Sequence, residues 1–460
     1  MSPIAETGMP YRGGRRGRPA LEGWALPTGL VGALLLPAHE RLRGRETLRH
    51  LAGLRRLEGD PRALRRLHAD KLAALLRHCA RHVPFYRAHL RGAEPSLEAF
   101  PVLEREAVRE HGRALLAEGF RGSVLPSSTG GSTGRPLQLW TDKAKEARHN
   151  AQKLRFRQWF GVRPGDRQVD FWGSPIELGK ASWVRTLKDR YLLNQALLSA
   201  HDLTEARIDA YARALGRFRP RLVYGYPTVI YRVARHAAAH PERLGGWRPQ
   251  AVFCTAEMLY PQLREGIARG LDCPVANEYG ARDGGLIAHE CPEGRLHVAS
   301  EHVHVEVAEP DEEGVGDLLI TNLDGYAMPL VRYRVGDRGR LGREACPCGA
   351  SLPVLERLEG RRNDFLLGAD RRRVHGSAAN YVLRERPEVI QYRLVQRADL
   401  SLDLQVVATG DWGEPQERAV AAGLRRVLGG ELPVRIERVA AIPPSPSGKY
   451  RWVESEASAP

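Results

Sequence analysis

The stretch SSTGGSTGRP, residues 127–136, puts three glycines, five hydroxyl residues and one cation into ten positions. Gly130, Gly131 and Gly134 would let backbone N–H groups converge on an anion. Ser128, Thr129, Ser132 and Thr133 add hydroxyl donors, and Arg135 adds charge. The spacing is neither G-x-x-x-x-G-K-[ST] nor G-x-G-x-x-G. Flexible linkers share this composition. On composition alone, linker and phosphate cradle both stand.

A second stretch, PPSPSGKYRW (443–452), presents Lys449 on a turn fixed by prolines and Ser-Gly. The chain has seven lysines, at 71, 143, 145, 153, 180, 188 and 449, while arginine is abundant. Lysine is a compact point charge and arginine a planar fork. Lys449 is therefore expected to do something arginine cannot; the alternative is an exposed tail lysine. A third group is sulfur and imidazole. Cys346 and Cys348 form C-P-C-G, and AHECPEGRLHV upstream offers His289, Cys291 and His297. Four N/S donors suit tetrahedral structural zinc. The expected ligands are Cys291, His297, Cys346 and Cys348, with His289 as the substitute. The alternative is a pair of free surface thiols.

The elements that must position these groups follow from pattern. At 460 residues and 42% hydrophobic content, the chain can bury a core in two or three domains. Apolar spacing predicts a helix from Ala63 to Leu90, interrupted at Pro84, and another over 143–160 with Asp142 as N-cap. RQVDFWG (167–173), RLVYGYP (221–227), PQAVFCTAEM (249–258) and CPVANEYG (273–280) read as strands alternating with helices. That is an α/β layering with much parallel sheet, in which ligands bind beyond the carboxyl ends of the strands. After 296 the alternation of apolar and polar residues predicts antiparallel strands. A polar joint, GRRND (360–364), precedes a small β-β-α-β unit. The expected domains are a tail and helical extension over 1–62, a large domain over 63–359 and a small mobile domain over 360–460.

The formal net charge of +15 raises the question of a nucleic-acid partner. The arginines are scattered, with no aromatic-interleaved stripe and no zinc-finger or helix-turn-helix pattern, so no nucleic-acid partner is expected. A basic surface would also suit ATP or CoA. WALPTGLVGALLLP (24–37) is broken by prolines and too short to span a bilayer; it is expected in the core, without stable membrane insertion. No secretory leader is read, so the reading is a cytoplasmic protein with reduced cysteines.

Six stretches, in order, resemble the adenylate-forming enzymes, and within them the phenylacetate–CoA ligase-like branch with its capsular-polysaccharide-biosynthesis-like members. They are HVPFYRAHL (82–90), SSTGGSTGRP, YGYPTVIYRVA (224–234), TAEMLYPQLRE with NEYGARDGGLIAHEC (255–291), TNLDGYAMPLVRYRVGD (321–337) and SPSGKYRW (445–452). The resemblance implies a large N-terminal domain of mixed sheets flanked by helices, and a small C-terminal α+β lid. It also implies attack of a carboxylate on the α-phosphate of ATP, then capture of the acyl-adenylate by a nucleophile, often CoA. In its terms the glycine loop cradles the β- and γ-phosphates and Lys449 reaches the α-phosphate. Tyr279 stacks on adenine and Asp337 accepts the ribose hydroxyls. Ala256, Glu257, Glu278 and Gly280 complete the adenosine site. Asp283 takes the magnesium position, and Arg361 and Asn363 belong to the hinge. Some members of the family also carry zinc near the cysteine cluster.

Four positions depart from the family pattern. Arg135 stands where lysine is usual, Gly130 where serine is common, Asp283 where glutamate is usual and Asn363 where the hinge has an acid. The acid pocket is expected from Phe171, Trp172, Tyr224, Gly225, Tyr226 and Pro227. Its aromatic wall favours an aromatic or apolar acid, although the same rings could be core. The expected partners are ATP, magnesium, structural zinc, a carboxylic acid and CoA, with a homodimer open. An amine acceptor, or a non-catalytic binding protein of the same fold, are the rival readings.

Overall fold

The computed structural model describes the chain from 26 to 457, apart from 129–136, 173–187, 190–192, 201–202, 282, 362–364, 376–378, 380–381, 384–385, 387, 409, 411 and 444–451. Helices come first. α1 (Thr28–Leu30), a π-helical turn (Val31–Leu35) and α2 (Leu36–Leu42) run on from one another, followed by α3 (Thr47–Leu57), α4 (Pro61–His82), α5 (Pro84–Leu90) and α6 (Arg105–Glu110). Asp60 caps α4 by accepting from the N–H groups of Arg62 and Ala63, with Pro61 at the first helical position. The segment at 24–37 is only partly core: Val31 is fully buried but Leu34 is 62% exposed. Its helix packs one side and leaves the other in solvent. Among the described residues, no helix is long and apolar enough to cross a membrane.

β1 (Val124–Ser128) and β2 (Gln138–Asp142) pair antiparallel on either side of 129–136. α7 (Lys143–Trp159) follows at once, because Asp142 accepts the Lys145 N–H at 2.7 Å and starts the helix. The main sheet then forms. β3 (Gln168–Trp172), β4 (Gln195–Ser199), β5 (Leu222–Gly225), β6 (Ala251–Thr255) and β7 (Val275–Ala281) are parallel, in the order β7-β6-β5-β3-β4. Helices α8 (Glu205–Phe218), α9 (Pro227–Ala239) and α10 (Pro261–Leu271) alternate with the strands. Every residue of β5 and β6 is buried, as in parallel strands covered on both faces.

From β7 onward the same sheet turns antiparallel. β8 (Gly285–Glu290), β9 (Leu296–Val298), β10 (Val303–Ala308), β11 (Gly316–Asn322), β12 (Tyr333–Leu341) and β13 (Val354–Arg361) extend it in the order β10-β11-β12-β13-β9-β8-β7. β14 (Phe365–Leu367) and β15 (Arg373–His375) pair antiparallel. A second sheet, β18-β17-β16-β19, is built from β16 (Val389–Gln396), β17 (Leu402–Ala408), β18 (Val434–Arg438) and β19 (Val453–Ser455). α11 (Glu414–Leu428) joins its core through Val420, Leu424 and Leu428. This is the α/β architecture expected: a large mixed sheet flanked by helices, followed by a small C-terminal sheet.

Candidate active site

The carboxyl ends of β3, β5, β6 and β7 gather the expected ligand residues on one edge, the edge parallel sheets use for binding. Tyr279 on β7 donates its hydroxyl to Asp337 Oδ2 on β12 at 2.9 Å, and both are buried. The expected adenine-stacking ring and ribose acceptor are therefore neighbours, although 58 residues separate them. A bulge between Tyr279 and Gly280 re-aims the strand here, as bulges beside sites do. Asp283 lies in the following turn. Its Oδ2 accepts from the Tyr333 hydroxyl at 2.8 Å, and Arg105 approaches to 4.0 Å. Ala256, after β6, has a φ of 67°, an uncommon conformation for a residue with a side chain. Glu257 accepts from Thr228 Oγ1 at 2.7 Å and from its N–H at 3.4 Å, which caps α9.

Three of the rings expected in the acid pocket stack on one another. Trp172, half-buried, stacks on Tyr226 at 4.7 Å and on Tyr224 at 6.0 Å between ring centroids. Gly225 separates the two tyrosines with a φ of 146°, and a Cβ there would lie 2.2 Å from the Phe171 carbonyl oxygen. Only glycine fits this close approach. Pro227 begins α9. Phe171 is the correction: it is fully buried against Tyr211 and takes no part in the wall. Strand alternation sends it to the opposite face from Trp172.

The reading from sequence missed the buried face of α7. Lys153 Nζ donates to the Tyr224 hydroxyl at 2.8 Å and lies 3.3 Å from Glu278 Oε1. Tyr224 in turn donates to Glu278 at 2.7 Å. Burial by itself would raise the Glu278 carboxyl, but Lys153, with His289 and Arg157, holds it down to about 2. Glu278 was expected to bind adenosine; one of its oxygens is committed to this internal pair. Lys145, His149 and Lys153 sit at i, i+4 and i+8, on one helical face. His149 Nδ1 accepts from the Leu286 N–H at 3.3 Å. Burial lowers the affinity of both Lys145 and His149 for a proton, with Asp142, Asp324 and Asp283 opposing it at Lys145. A signal was present: three of the seven lysines fall within eleven residues of α7.

The cysteine cluster is the other polar group, buried at Cys291, His297 and Cys346 while Cys348 reaches the surface. One ligand atom from each of Cys291, His297, Cys346 and Cys348 lies within 4.8 Å of all the others. Cys291 and Cys346 are 3.7 Å apart at sulfur, and Cys348 Sγ is 3.3 Å from His297 Nε2. His297 Nδ1 lies 3.1 Å from the Leu352 carbonyl oxygen. Donation to that oxygen leaves Nε2 with its lone pair toward the thiols, the orientation a metal ligand needs. The set could hold a tetrahedral ion. The substitute, His289, is elsewhere: it stacks on Phe156 at 4.9 Å, and burial lowers its pKa to about 4.

Thr129, Gly130, Gly131, Ser132, Thr133, Gly134, Arg135, Asn363 and Lys449 lie outside the described residues, as do the side chains of Ser128 and Arg361.

Known proteins share this arrangement of strands. The solved structure of 2-hydroxyisobutyryl-CoA ligase in its postadenylation state, in complex with R3-HIB-AMP, superposes with a TM-score of 0.70. The match has 19% identity and covers 88% of this chain and 91% of that one. No family model matches the chain. Protein CapK of Staphylococcus aureus is 27% identical over 372 residues, 78% of this chain and 80% of CapK. A phenylacetate-coenzyme A ligase of Thermus thermophilus is 27% identical over 377 residues, 75% of this chain and 81% of that ligase. The fold is that of the adenylate-forming acyl-CoA ligases. In sequence, the chain is similar to CapK and to a phenylacetate-coenzyme A ligase.

Proposed function

We propose that the protein activates a carboxylic acid with ATP as an acyl-adenylate, releasing pyrophosphate, and passes the acyl group to the thiol of CoA. The observation that carries this reading is the buried Tyr279–Asp337 pair at the carboxyl edge of the sheet, where adenosine would meet a ring and a ribose acceptor. Attack of one anion on another needs fixed donors and positive charge where negative charge develops. The glycine loop between β1 and β2 supplies donors for the β- and γ-phosphates. Lys449 supplies a point charge for the α-phosphate and the attacking carboxylate. Asp283 has one oxygen committed to Tyr333, so a magnesium ion there would take most of its ligands from phosphate and water. The half-buried Trp172 favours an aromatic or apolar acid. The Cys291–His297–Cys346–Cys348 set holds structural zinc. GRRND is the hinge over which the small C-terminal domain turns between the two half-reactions.

The test is acid-dependent pyrophosphate exchange across a panel of carboxylic acids, repeated with Lys449→Ala. Exchange should vanish in the variant while capture of a supplied acyl-adenylate survives. Undiminished exchange would overturn the role given to Lys449. Release of AMP that depends on an amine and not on CoA would overturn the acceptor.

A further inference from the structure

α1, the π-helical turn and α2 form one helical run over 28–42, and its inner side is fixed to the large domain. Val31 is fully buried, and a Cβ on Gly32 would lie 2.5 Å from the Pro164 carbonyl oxygen, so that side sits directly against backbone. Just before the run, the Leu26 N–H donates to Asn194 Oδ1 at 3.2 Å, and Asn194 Nδ2 donates back to the Leu26 carbonyl at 3.0 Å. At the far end the buried Glu40 accepts from the Thr47 N–H at 3.3 Å. The run is therefore held at both ends and along one side. Its outer side repeats every four residues: Leu30, Leu34, Ala38 and Leu42 are all exposed. That spacing stacks them into one stripe. Leu42 is 87% exposed and Leu34 62%, the two highest values among the exposed large apolar side chains of the described residues. Single surface leucines need no explanation, but a stripe of them does.

The stripe is bordered by cations. Arg41 and Arg43 flank Leu42, both are exposed, and neither makes an ion pair among the described residues. α3 follows with Arg49, Arg55 and Arg56 exposed. Between 26 and 66 the chain has nine arginines and four acidic residues. Those acids are engaged locally. Glu40 is held by Thr47, Glu46 meets Arg49 at 3.0 Å, Glu58 accepts from Trp159 Nε1 at 3.0 Å, and Asp60 caps α4. The local field is positive. Burial lowers the affinity of His39 for a proton, Lys188 lowers it further, and Arg43 and Arg45 add to that against Glu40.

We propose that this face docks the protein peripherally on an anionic lipid surface. Leu30, Leu34 and Leu42 enter the boundary between headgroups and acyl chains, and Arg41 and Arg43 meet the headgroup phosphates. A leucine stripe beside arginines is what an interfacial helix presents, and no helix among the described residues is long and apolar enough to cross the bilayer instead. A nucleic acid would engage the arginines but leave the leucines in water. A second copy related by a twofold axis would set one arginine-bordered stripe against another, like charge on like. The inference is independent of the reaction proposed above.

The experiment sediments the full chain with vesicles of phosphatidylcholine alone, and of phosphatidylcholine with about 30% phosphatidylglycerol, at low and at high salt. The wild type should sediment with the anionic vesicles and not with the neutral ones, and high salt should release it. Leu34→Ser/Leu42→Ser should weaken binding about tenfold or more, as two leucines lose their apolar contact. Arg41→Glu/Arg43→Glu should weaken it roughly twenty-five-fold or more, since each cation near such a surface is worth about fivefold. Both pairs should keep the wild-type melting temperature, because all four side chains are exposed. No binding to the anionic vesicles, or equal binding to the neutral ones, overturns the proposal. So does a dimer in size-exclusion chromatography that Leu34→Ser/Leu42→Ser splits, which gives the stripe to a second copy. Binding of a single-stranded DNA homopolymer that ignores the leucine pair, with no vesicle binding, gives the face to nucleic acid instead.

Discussion

Two polar groups, each largely buried, flank β8, and they meet burial in opposite ways. On one side Lys153, Tyr224 and Glu278 close on one another, cation against carboxylate with a hydroxyl bonded to both, and His289 and Arg157 add to the field. On the other side Cys291, His297, Cys346 and Cys348 are four donors of one polarity, converging without a cation of their own. The first group carries its own counter-charge; the second could take one from a metal ion. A self-paired network adjoins the carboxyl edge of the parallel strands. A donor cluster brings β9 to the loop at 346 in an arrangement that could hold a metal.

The strongest way to break that contrast is to open the first group. Lys153→Met should cost about 3–5 kcal/mol in chemical denaturation, because it strands the Glu278 carboxylate in the interior. Adding Glu278→Met should recover most of the loss, since an apolar pair of similar volume replaces a buried ion pair at little cost. If the double variant is as unstable as the single, the pair does not neutralise itself. Next is the second group. Removing its ion by chelation should cost up to about 4 kcal/mol at metal levels a thousandfold above Kd. Cys346→Ser should abolish the bound zinc in metal analysis while pyrophosphate exchange per folded molecule persists. Purified protein free of zinc would remove the site.

Acid sharpens the comparison further. Glu278 titrates near 2 in the fold, below its ordinary 4.5, so its contribution is present above pH 4.5 and lost as pH falls from 4.5 to 2. That loss is on the order of 3 kcal/mol. His304, held down to about 4 by burial and then by His68 and Arg332, favours the neutral form in the fold. Its contribution is present above 6.5 and fades as pH falls from 6.5 to 4. Stability measured against pH should therefore begin to decline below 6.5 and steepen below 4.5. In Lys153→Met/Glu278→Met the steeper limb should flatten. An unchanged limb would assign it to other carboxylates.

Much of the scaffold was legible in the sequence because its signals are local. The strands at 168–172, 222–225, 251–255 and 275–281 each show a short apolar run ending in a turn. Asp142 announces α7 by its capping chemistry, and the C-P-C-G pair with Cys291 and His297 gave the donor set. What escaped was tertiary. α7 carries charge around its circumference, so it reads as a solvated helix, and nothing near Lys153 in the chain points to Tyr224, 71 residues away. The contact of the Trp452 ring with Tyr260 escaped for the same reason: Tyr260 lies far off in the chain, in the turn before α10. Phe171 could have been excluded, since alternation with Trp172 already forbids both from one face.

Residues 278 and 279 are neighbours on β7 that point to opposite sides of it. Glu278 reaches back to α7, and Tyr279 reaches toward β12. A slip of one residue in the pairing of β7 would exchange them, burying a phenol against Lys153 and turning the carboxylate toward Asp337. Two like charges would then meet at Asp337. The Lys153–Glu278 pair thus works as an index mark on the strand. It fixes which residue faces Asp337, and it does so from the opposite side of the sheet.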